Sequence, residues 1–317
     1  MTVLKEKSAR TGATTIVAAA FIAILTLFFI IDAKTVSQGV LQGLKTAAFA
    51  VIPAVFPCAV LSELFILSGG GEVAAKLFGK PVSKVFGTSV YAASAVILGA
   101  VCGFPVGAVT AARLYSSGKI KKAEFERLIG FVSLPSPSFV INVVGVGMFG
   151  SRNIGFLLFG CLLLSSFFIG VFSGLRREKS SENSPLVALK SSSLSENFVS
   201  ALYRSAETMI KITASVTFFS AVSVWLGARL DLPDVWAAFL SGILEFSGGC
   251  RAAAALGGGL SLPLCAFFLG FSGFGVHFQI ISVCGNISYK KYFLFSLIKA
   301  ALCALAVFAV KFCGFDI

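Results

Sequence analysis

Charge is what this 317-residue chain has least of. Asp, Glu, Lys and Arg together make up 13% of the residues, and only 14 residues are acidic. Soluble globular domains carry about 25% charged residues, so this chain has too few to cover a soluble surface. Hydrophobic residues make up 57%, including 33 phenylalanines, and the mean hydropathy is +0.94. We therefore predict an all-α polytopic membrane protein whose first partner is the lipid bilayer.

The residue patterns of metal sites and of common hydrolases are also missing. The chain has one histidine, and its eight cysteines lie singly in apolar surroundings without a Cys-x-x-Cys pair. That spacing predicts neither disulfides nor a zinc site. No His-Glu-x-x-His, Gly-x-Ser-x-Gly or paired aspartates occur. We expect no cofactor, no metal and no enzyme activity.

The net charge of +12 does not indicate a nucleic-acid partner, because the basic residues fall into short loops between apolar spans. The positive-inside rule of membrane proteins produces that distribution by itself. The basic segments are residues 76–84, 113–127, 176–190, 204–211 and 290–291.

The first apolar run, residues 13–31, follows Lys5, Lys7 and Arg10. A run of about 19 apolar residues can cross a bilayer. A cleaved signal peptide would have a shorter apolar region and a small-residue exit, which Asp32-Ala33-Lys34 does not provide. Residues 1–36 are therefore predicted to be an N-terminal transmembrane anchor.

A helix break is predicted at Cys-Gly-Phe-Pro-Val-Gly-Ala, residues 102–108, inside an otherwise apolar region. Pro105 lacks the amide that continues a helix, and Gly103 and Gly107 weaken a helix interior. In lipid, a break is tolerated only where protein or a water-filled cavity satisfies the free carbonyls. The segment is then part of a site, or it is an ordinary loop outside the membrane.

The chain contains an internal repeat. Three segments of the second half match segments of the first half in the same order, and each half ends in a clean apolar span, 154–174 or 293–313. The matching pairs are 195–210 with 37–52, 246–253 with 104–111, and 272–283 with 133–144. We predict a first repeat at 37–174, a cytoplasmic linker at 175–194 and a second repeat at 195–317.

The basic loops predict how the two repeats are oriented. If residues 88–116 crossed the membrane fully, Lys119, Lys121 and Lys122 would lie outside; if they form a re-entrant hairpin, these lysines stay inside. We predict re-entrant hairpins at 88–116 and 235–256, with the N-terminus inside and the C-terminus outside. The seven predicted full crossings are 13–31, 46–68, 125–148, 154–174, 208–227, 262–284 and 293–313. The two repeats are then inverted relative to each other.

Inverted repeats with broken helices are typical of secondary transporters, whose site lies near the midplane between the halves. Half-helices are predicted to begin near Gly107, Pro137, Gly249 and Val276, where free amides and the helix dipole suit a carboxylate or phosphate. The candidate substrate-binding residues are Gly103, Pro105, Gly107, Ser133, Ser136, Ser138, Asn142, Glu245, Gly249, Arg251, Ser272, His277 and Gln279.

Several of these residues have a structural alternative. Arg251 is a bidentate partner for an anion, or it extends to the headgroups. Glu245 and Arg251 line a site, or they pair with each other across the second tip. His277 carries a proton, or it is a hydrogen-bonded structural histidine. The serines near Pro135 bind substrate, or they cap helices.

Four segments resemble the Gate-domain ("nucleoside recognition") membrane family, and within it the sporulation integral membrane proteins. They are CGFPVGA at 102–108, SPSFVINVVGVGMFG at 136–150, LEFSGGC at 244–250 and GFSGFGVHFQIISV at 270–283. The resemblance covers about residues 37–313. It implies a fold similar to concentrative nucleoside transporters, with two hairpins and two unwound helices. One branch of the sporulation proteins is taken to carry dipicolinic acid across the outer forespore membrane.

The resemblance and the broken helices together favour a secondary-type transporter of a small anionic metabolite, dipicolinic acid during sporulation being the specific expectation. A nucleoside or nucleobase transporter is the alternative, although the Phe104–Gly107 tip lacks the polar cluster of a sodium-coupled nucleoside carrier. A non-transporting spore-envelope membrane factor is a third hypothesis. The expected location is the bacterial cytoplasmic membrane or the outer forespore membrane. The sequence leaves open whether the protein forms a homo-oligomer.

Overall fold

The computed structural model of the protein describes residues 2–175, 193–285 and 287–313, with side chains from Thr15 onward. Every element in these ranges is a helix, and none is a strand, which confirms the predicted all-α class. The helices are α1 Thr2–Ile31, α2 Ala33–Thr46, π1 Ala47–Val51, α3 Ile52–Leu67, α4 Gly70–Phe86, α5 Ala92–Cys102, α6 Val106–Ser116, α7 Lys122–Val132, π2 Phe139–Met148, α8 Arg152–Gly174, α9 Leu194–Arg229, α10 Asp234–Leu244, α11 Phe246–Leu256, α12 Ser261–Phe271, α13 Gly273–Cys284 and α14 Tyr289–Phe312.

Five helical segments are long and apolar enough to cross a membrane, so the chain is an integral membrane protein. They are Ala33–Leu67, Arg152–Gly174, Leu194–Arg229, Ser261–Cys284 and Tyr289–Phe312. These correspond to five of the seven predicted crossings. The predicted crossing at 13–31 lies within α1, and the one at 125–148 is divided into α7 and π2. Of the predicted linker 175–194, residues 176–192 lie outside the described residues.

Helices α5 and α6 form a hairpin whose two ends lie together. The backbone amide of Ser89, before α5, donates to Glu124 Oε1 at 2.6 Å, and Lys119, after α6, pairs with Glu72 at 2.6 Å. Each arm has 11 residues. At 1.5 Å per residue an arm is about 16 Å long, half of the ~30 Å hydrocarbon core. The tip lies at Gly103–Pro105, where α5 has ended and α6 has not begun.

Helices α10 and α11 form a second pair that turns at Glu245. In both pairs a glycine lets the arms touch. A methyl group added at Gly107 would lie 2.7 Å from the Cα of Gly99, and one added at Gly249 would collide with the backbone of Gly242. Only glycine allows such a close backbone approach. The arms of each hairpin can therefore pack this closely only because all four of these residues are glycine.

A broken helix follows each hairpin. Helix α7 ends at Val132, residues 133–136 are non-helical around Pro135, and helical structure resumes before π2. Helix α12 ends at Phe271, where Ser272 adopts a left-handed φ of 73° before α13 begins. A long helix, α8 or α14, follows each break. The same order of elements, a hairpin, a broken helix and a long helix, therefore occurs twice.

Two of the four predicted helix starts are displaced by three residues. Helix α11 begins at Phe246 rather than near Gly249, because the Glu245 side chain caps its first amides. Helix α13 begins at Gly273 rather than near Val276, because the left-handed conformation at Ser272 and Gly273 completes the turn between the two helices. Helix α6 begins at Val106, one residue before the predicted start.

An ion pair outside the predicted crossings joins the N-terminal part of the chain to the second half. Arg229, at the end of α9, pairs with Asp32 at 2.8 Å, between α1 and α2. The hydrogen bond from Arg229 holds the pKa of Asp32 below its usual range.

Candidate substrate site

Both hairpin tips and both helix breaks meet around one internal cavity. Phe104 comes from the first tip and Phe246 from the second. Opposite them lie α3, from the first half, and α9, from the second. The complete lining is Val51, Val55, Phe104, Pro135, Ser136, Phe139, Ile212, Val216, Phe246, Val276 and Gln279. The elements predicted to form the site are therefore brought together.

Three phenyl rings close this centre. Phe246 packs edge-on against Phe104, with ring centroids 5.5 Å apart, and against Phe139 at 5.2 Å. The space open to the centre of a water molecule is about 20 Å³. That is room for about one water. Anything larger needs the rings to separate, so the centre is closed in this conformation.

Each tip is fixed to the break of its own half. In the first half, the amide of Phe104 donates to the Leu134 carbonyl at 2.7 Å, and a methyl group at Gly103 would collide with the backbone of Ser136. In the second half, a methyl group at Gly273 would lie 2.9 Å from the amide nitrogen of Phe246. A movement of either tip therefore disturbs the adjoining break.

Glu245 occupies the N-terminus of α11. The residue is 3% exposed, and its carboxylate accepts hydrogen bonds from the amides of Ser247 at 3.0 Å and Gly248 at 2.7 Å, and from the Ser247 hydroxyl. The amides that were predicted to hold an anion at the second tip are thus already bonded to this carboxylate. An anion could use them only by displacing Glu245.

Arg251 lies away from the cavity, on an exposed face of α11. Its guanidinium donates to the Thr46 hydroxyl at 3.2 Å and, among the described residues, forms no ion pair with Glu245. It faces an open groove of about 700 Å³. The groove also contains Lys45 and two glutamines and runs along α2 to Ala50, one residue before the cavity wall at Val51. Its lining is Gln38, Leu41, Gln42, Lys45, Thr46, Phe49, Ala50 and Arg251.

His277 is fully buried among aromatic rings at the second break. Its Nε2 is bonded to the Phe271 carbonyl at 2.9 Å, and its ring lies between Phe271 at 4.7 Å and Tyr292 at 4.9 Å. The hydrogen bond satisfies a carbonyl that the end of α12 leaves free. This is the hydrogen bond that the structural alternative for His277 calls for, while its Nδ1 has no partner among the described residues.

The other predicted residues divide into three groups. Ser136 and Gln279 line the cavity; the Ser136 hydroxyl caps the following helix at the Phe139 amide, and Gln279 Oε1 has no partner among the described residues. Gly103, Pro105, Gly107, Gly249, Ser133 and Ser272 are buried in or behind the tips and breaks. Ser138 is partly buried and Asn142 is exposed, both outside the cavity lining.

One buried charged residue was missed by the sequence analysis. Lys299 lies near the middle of α14, is 0% exposed, and donates from Nζ to the Ser133 carbonyl at the first break. The sequence does contain a signal for it, because Lys299 is the one charged residue in the apolar run between Phe293 and Val310. Its partner could not be predicted, because the contact joins positions 166 residues apart.

The comparisons with known proteins agree with part of the resemblance. The chain is 26% identical over 337 aligned positions to the sporulation integral membrane protein YlbJ of Bacillus subtilis strain 168, and the match covers 92% of this chain and 82% of the relative. This supports the likeness to sporulation integral membrane proteins. No family model matches the chain. No solved structure matches it either.

Proposed function

We propose that this protein is a secondary transporter that moves a small aromatic anion, dipicolinate in the first instance, across a membrane during spore formation. The observation that carries the proposal is the convergence of two hairpin tips and two helix breaks on one closed cavity. Broken helices inside a membrane are tolerated where they line a path for substrate. The sporulation context rests on the likeness to YlbJ.

The chemistry of the cavity suits a flat aromatic ring with polar substituents. Phe104, Phe139 and Phe246 offer ring faces and edges against which a pyridine ring can stack. The Ser136 hydroxyl and the Gln279 amide are the polar groups of the lining. They can donate hydrogen bonds to carboxylate oxygens.

The groove at Arg251 supplies the positive charge that the cavity lacks. Arg251 and Lys45 face this groove, which adjoins the cavity wall through Ala50 and Val51. A concave surface with charges of one sign concentrates ligands of the opposite sign. In this proposal the groove is the vestibule on the outer side, and Arg251 acts there on arriving anions.

The proposed orientation has two re-entrant hairpins in inverted repeats of the Gate-domain kind, with the N-terminus inside and the C-terminus outside. The ion pair between Glu72 and Lys119 supports the first hairpin, because it holds residues before α5 and after α6 at one end of the fold. The pair between Lys291 and Glu126, at 3.0 Å, likewise joins two segments assigned to the inner side. The membrane is the bacterial cytoplasmic membrane or the outer forespore membrane.

A nucleobase or nucleoside is the second candidate substrate, and one observation favours it. None of the described residues that line the cavity carries a charge. A neutral planar base would lose less hydration than a dicarboxylate on entering such a space. The same phenyl rings and the Gln279 amide could bind it.

Counterflow in proteoliposomes tests the proposal. Vesicles with purified protein are loaded with unlabelled dipicolinate and diluted into labelled dipicolinate; parallel vesicles use uridine and uracil. We expect accumulation of dipicolinate, at least tenfold weaker in Gln279→Ala because a buried hydrogen bond is worth about 1.5 kcal/mol or more when one partner is charged. The control is Gly160→Ala on α8, where an added methyl group meets nothing within 4 Å.

The outcomes separate the three hypotheses. Accumulation of dipicolinate that depends on Gln279 supports the proposal. Accumulation of uridine or uracil alone selects the second candidate. Accumulation of none, by protein that remains folded in the vesicles, contradicts transport of these solutes and leaves the non-transporting membrane factor as the better hypothesis.

A further inference from the structure

A buried polar cluster lies behind the first break, on the side of it that faces α14. Tyr292, Ser296 and Lys299 are at i, i+4 and i+7 and so share one face of that helix. Each is at most 1% exposed. Ser133, at the break, and His277, on α13, complete the cluster: Lys299 contacts the Ser133 carbonyl, and the His277 ring packs on Tyr292.

The charge of this cluster is not compensated. Lys299 has one hydrogen bond, to a neutral carbonyl, and forms no ion pair with any described residue. The Ser133 and Ser296 side chains face the Tyr292 hydroxyl, and His277 Nδ1 has no partner among the described residues. Intramembrane charges without partners are rare and mark ion or proton pathways. An unpartnered ring nitrogen on His277 and an uncompensated ammonium on Lys299 leave this cluster able to bind water or exchange a proton.

The cluster contacts both breaks. Lys299 holds the Ser133 carbonyl of the first break, and His277 is bonded to the Phe271 carbonyl of the second. The next carbonyl after Ser133, that of Leu134, accepts the amide of Phe104 at the first tip. Two consecutive backbone carbonyls therefore connect Lys299 to Phe104, one of the rings that close the cavity.

We propose that Lys299 is a proton-exchange site that controls opening of the central cavity. Burial favours the neutral form of an amine and a carbonyl acceptor favours the ammonium, and both influences act on Lys299. The ammonium holds the Ser133 carbonyl and keeps the first tip closed. When it releases one proton to water in the cluster, the neutral amine binds the carbonyl more weakly and the tip can move; one proton from water restores the closed state.

Other titratable groups also face the cluster. They are His277 and Cys284 from α13, Tyr289, Tyr292 and Cys303 from α14, Cys265 from α12 and Cys161 from α8; no described carboxylate is among them. His277 is the competing proton carrier, because it contacts the second break. Lys299 differs from it in holding the break that bears the first tip. The experiment must therefore separate these two residues.

The pH dependence of cavity opening tests the proposal without any substrate. Val55, in the cavity lining, is replaced by cysteine in a background free of other cysteines, and its labelling by N-ethylmaleimide is followed from about pH 6 to pH 9. The same probe is placed in Lys299→Arg, Lys299→Met and His277→Gln. Thiol ionisation is common to all four proteins, so differences between their pH profiles report the cavity.

Between about pH 6 and pH 9, we expect the labelling rate to rise about tenfold more in the protein that retains Lys299 than in Lys299→Arg. The reason is that the equilibrium between the closed and the open cavity shifts toward the open state as Lys299 loses its proton. Arginine keeps its charge and should hold the cavity closed at every pH. Lys299→Met should label rapidly throughout. If Lys299→Met does not fold, the comparison with Lys299→Arg still decides.

Two results overturn the proposal. One is an identical pH profile with Lys299 and with Lys299→Arg. The other is an excess pH dependence that survives in Lys299→Arg and disappears in His277→Gln, which would assign the proton to His277.

The link to transport rests on the proposed function and is measured separately. Proteoliposomes that contain a pH-sensitive dye report whether inward dipicolinate movement is accompanied by movement of protons. Uptake with proton movement, which Lys299→Arg abolishes, supports the coupling. Uptake without proton movement contradicts the coupling and leaves the transport proposal intact, whereas absent uptake counts against transport alone, since the labelling experiment tests Lys299 without it.

Discussion

At the scale of the residue, three buried polar side chains near the centre satisfy backbone groups that the helix breaks set free. Lys299 bonds to the Ser133 carbonyl, His277 to the Phe271 carbonyl, and Glu245 to the amides of α11. Unpaired backbone groups in hydrocarbon cost several kcal/mol each, which explains why charged residues are retained there. Each of these helix interruptions is thus accompanied by a polar side chain that bonds to the freed backbone groups.

The cap at Glu245 gives the first prediction. In Glu245→Gln the amide retains one acceptor oxygen, so three donors compete for it and the charge assistance is lost. We expect a loss of stability of about 1–3 kcal/mol. Thermal unfolding in detergent measures it, with Glu207→Gln as the matched control, since Glu207 makes an exposed i, i+4 ion pair on α9. Equal melting temperatures for the two variants would contradict the cap.

Arg251 gives a prediction about charge rather than contact. Because it lies in the proposed vestibule, Arg251→Ala is expected to raise the half-saturating dipicolinate concentration about threefold and to leave uridine unaffected, an effect that falls with added salt. Arg251→Lys should restore most of the loss, since attraction at a distance needs the charge and not the guanidinium fork. Kinetics of uptake at low and high ionic strength measure both. A tenfold loss that lysine does not repair would instead place Arg251 in direct contact with substrate.

At the scale of the element, the two hairpins depend on glycines that bring their arms together. A methyl group at Gly107 would meet the Gly99 Cα and the Val132 carbonyl oxygen, both at 2.7 Å. These contacts are backbone and cannot move aside as a flexible side chain would. The arms of each hairpin can therefore pack this closely only while glycine is kept at the contact.

Gly107→Ala and Gly249→Ala are accordingly expected to destabilise the fold by about 1–3 kcal/mol, the range of overpacked cores. The control Gly160→Ala should be neutral or more stable by up to about 1 kcal/mol, because alanine favours a helix and the space is open. Melting temperatures in one detergent compare all three. If Gly107→Ala unfolds no earlier than Gly160→Ala, the close packing of the arms is wrong.

Much of this architecture was predictable from the sequence, because the relevant signals are local. Proline and glycine chemistry predicted a helix break at 103–107 and helix starts near Pro137 and Val276, and the helices are interrupted within a few residues of each place. The contacts that close the centre were not predictable. The cap made by Glu245 and the bond from Lys299 to Ser133 depend on how helices pack, and the exposed position of Arg251 depends on the rotation of α11. Sequence spacing determines none of these.

At the scale of the whole molecule, the repeated order of elements suggests two halves that enclose one centre. On one side of the cavity, π1 contributes Val51, α3 contributes Val55, and α9 contributes Ile212 and Val216; the two tips contribute Phe104 and Phe246. Two similar halves around a shared site can open alternately toward either side, provided that they are inverted. The proposed transport therefore depends on the predicted inverted orientation.

Labelling of single cysteines tests that orientation. We expect Ser117→Cys, after the first hairpin, to react with an impermeant maleimide only from the cytoplasmic side, and Leu260→Cys, after the second, only from the outer side. Both residues are exposed at the ends of hairpin arms. Reaction of the two cysteines from the same side would contradict the inverted repeat.

Alternating access predicts that the central cavity can be reached from both faces of the membrane, and one cysteine in its wall can report this. Val276→Cys, at the cavity wall contributed by the second break, is exposed to an impermeant maleimide in right-side-out and in inside-out vesicles. We expect this one cysteine to be labelled from both sides, and dipicolinate to slow labelling from each. Labelling from one side only, or from neither, would contradict a centre that opens alternately to the two faces of the membrane.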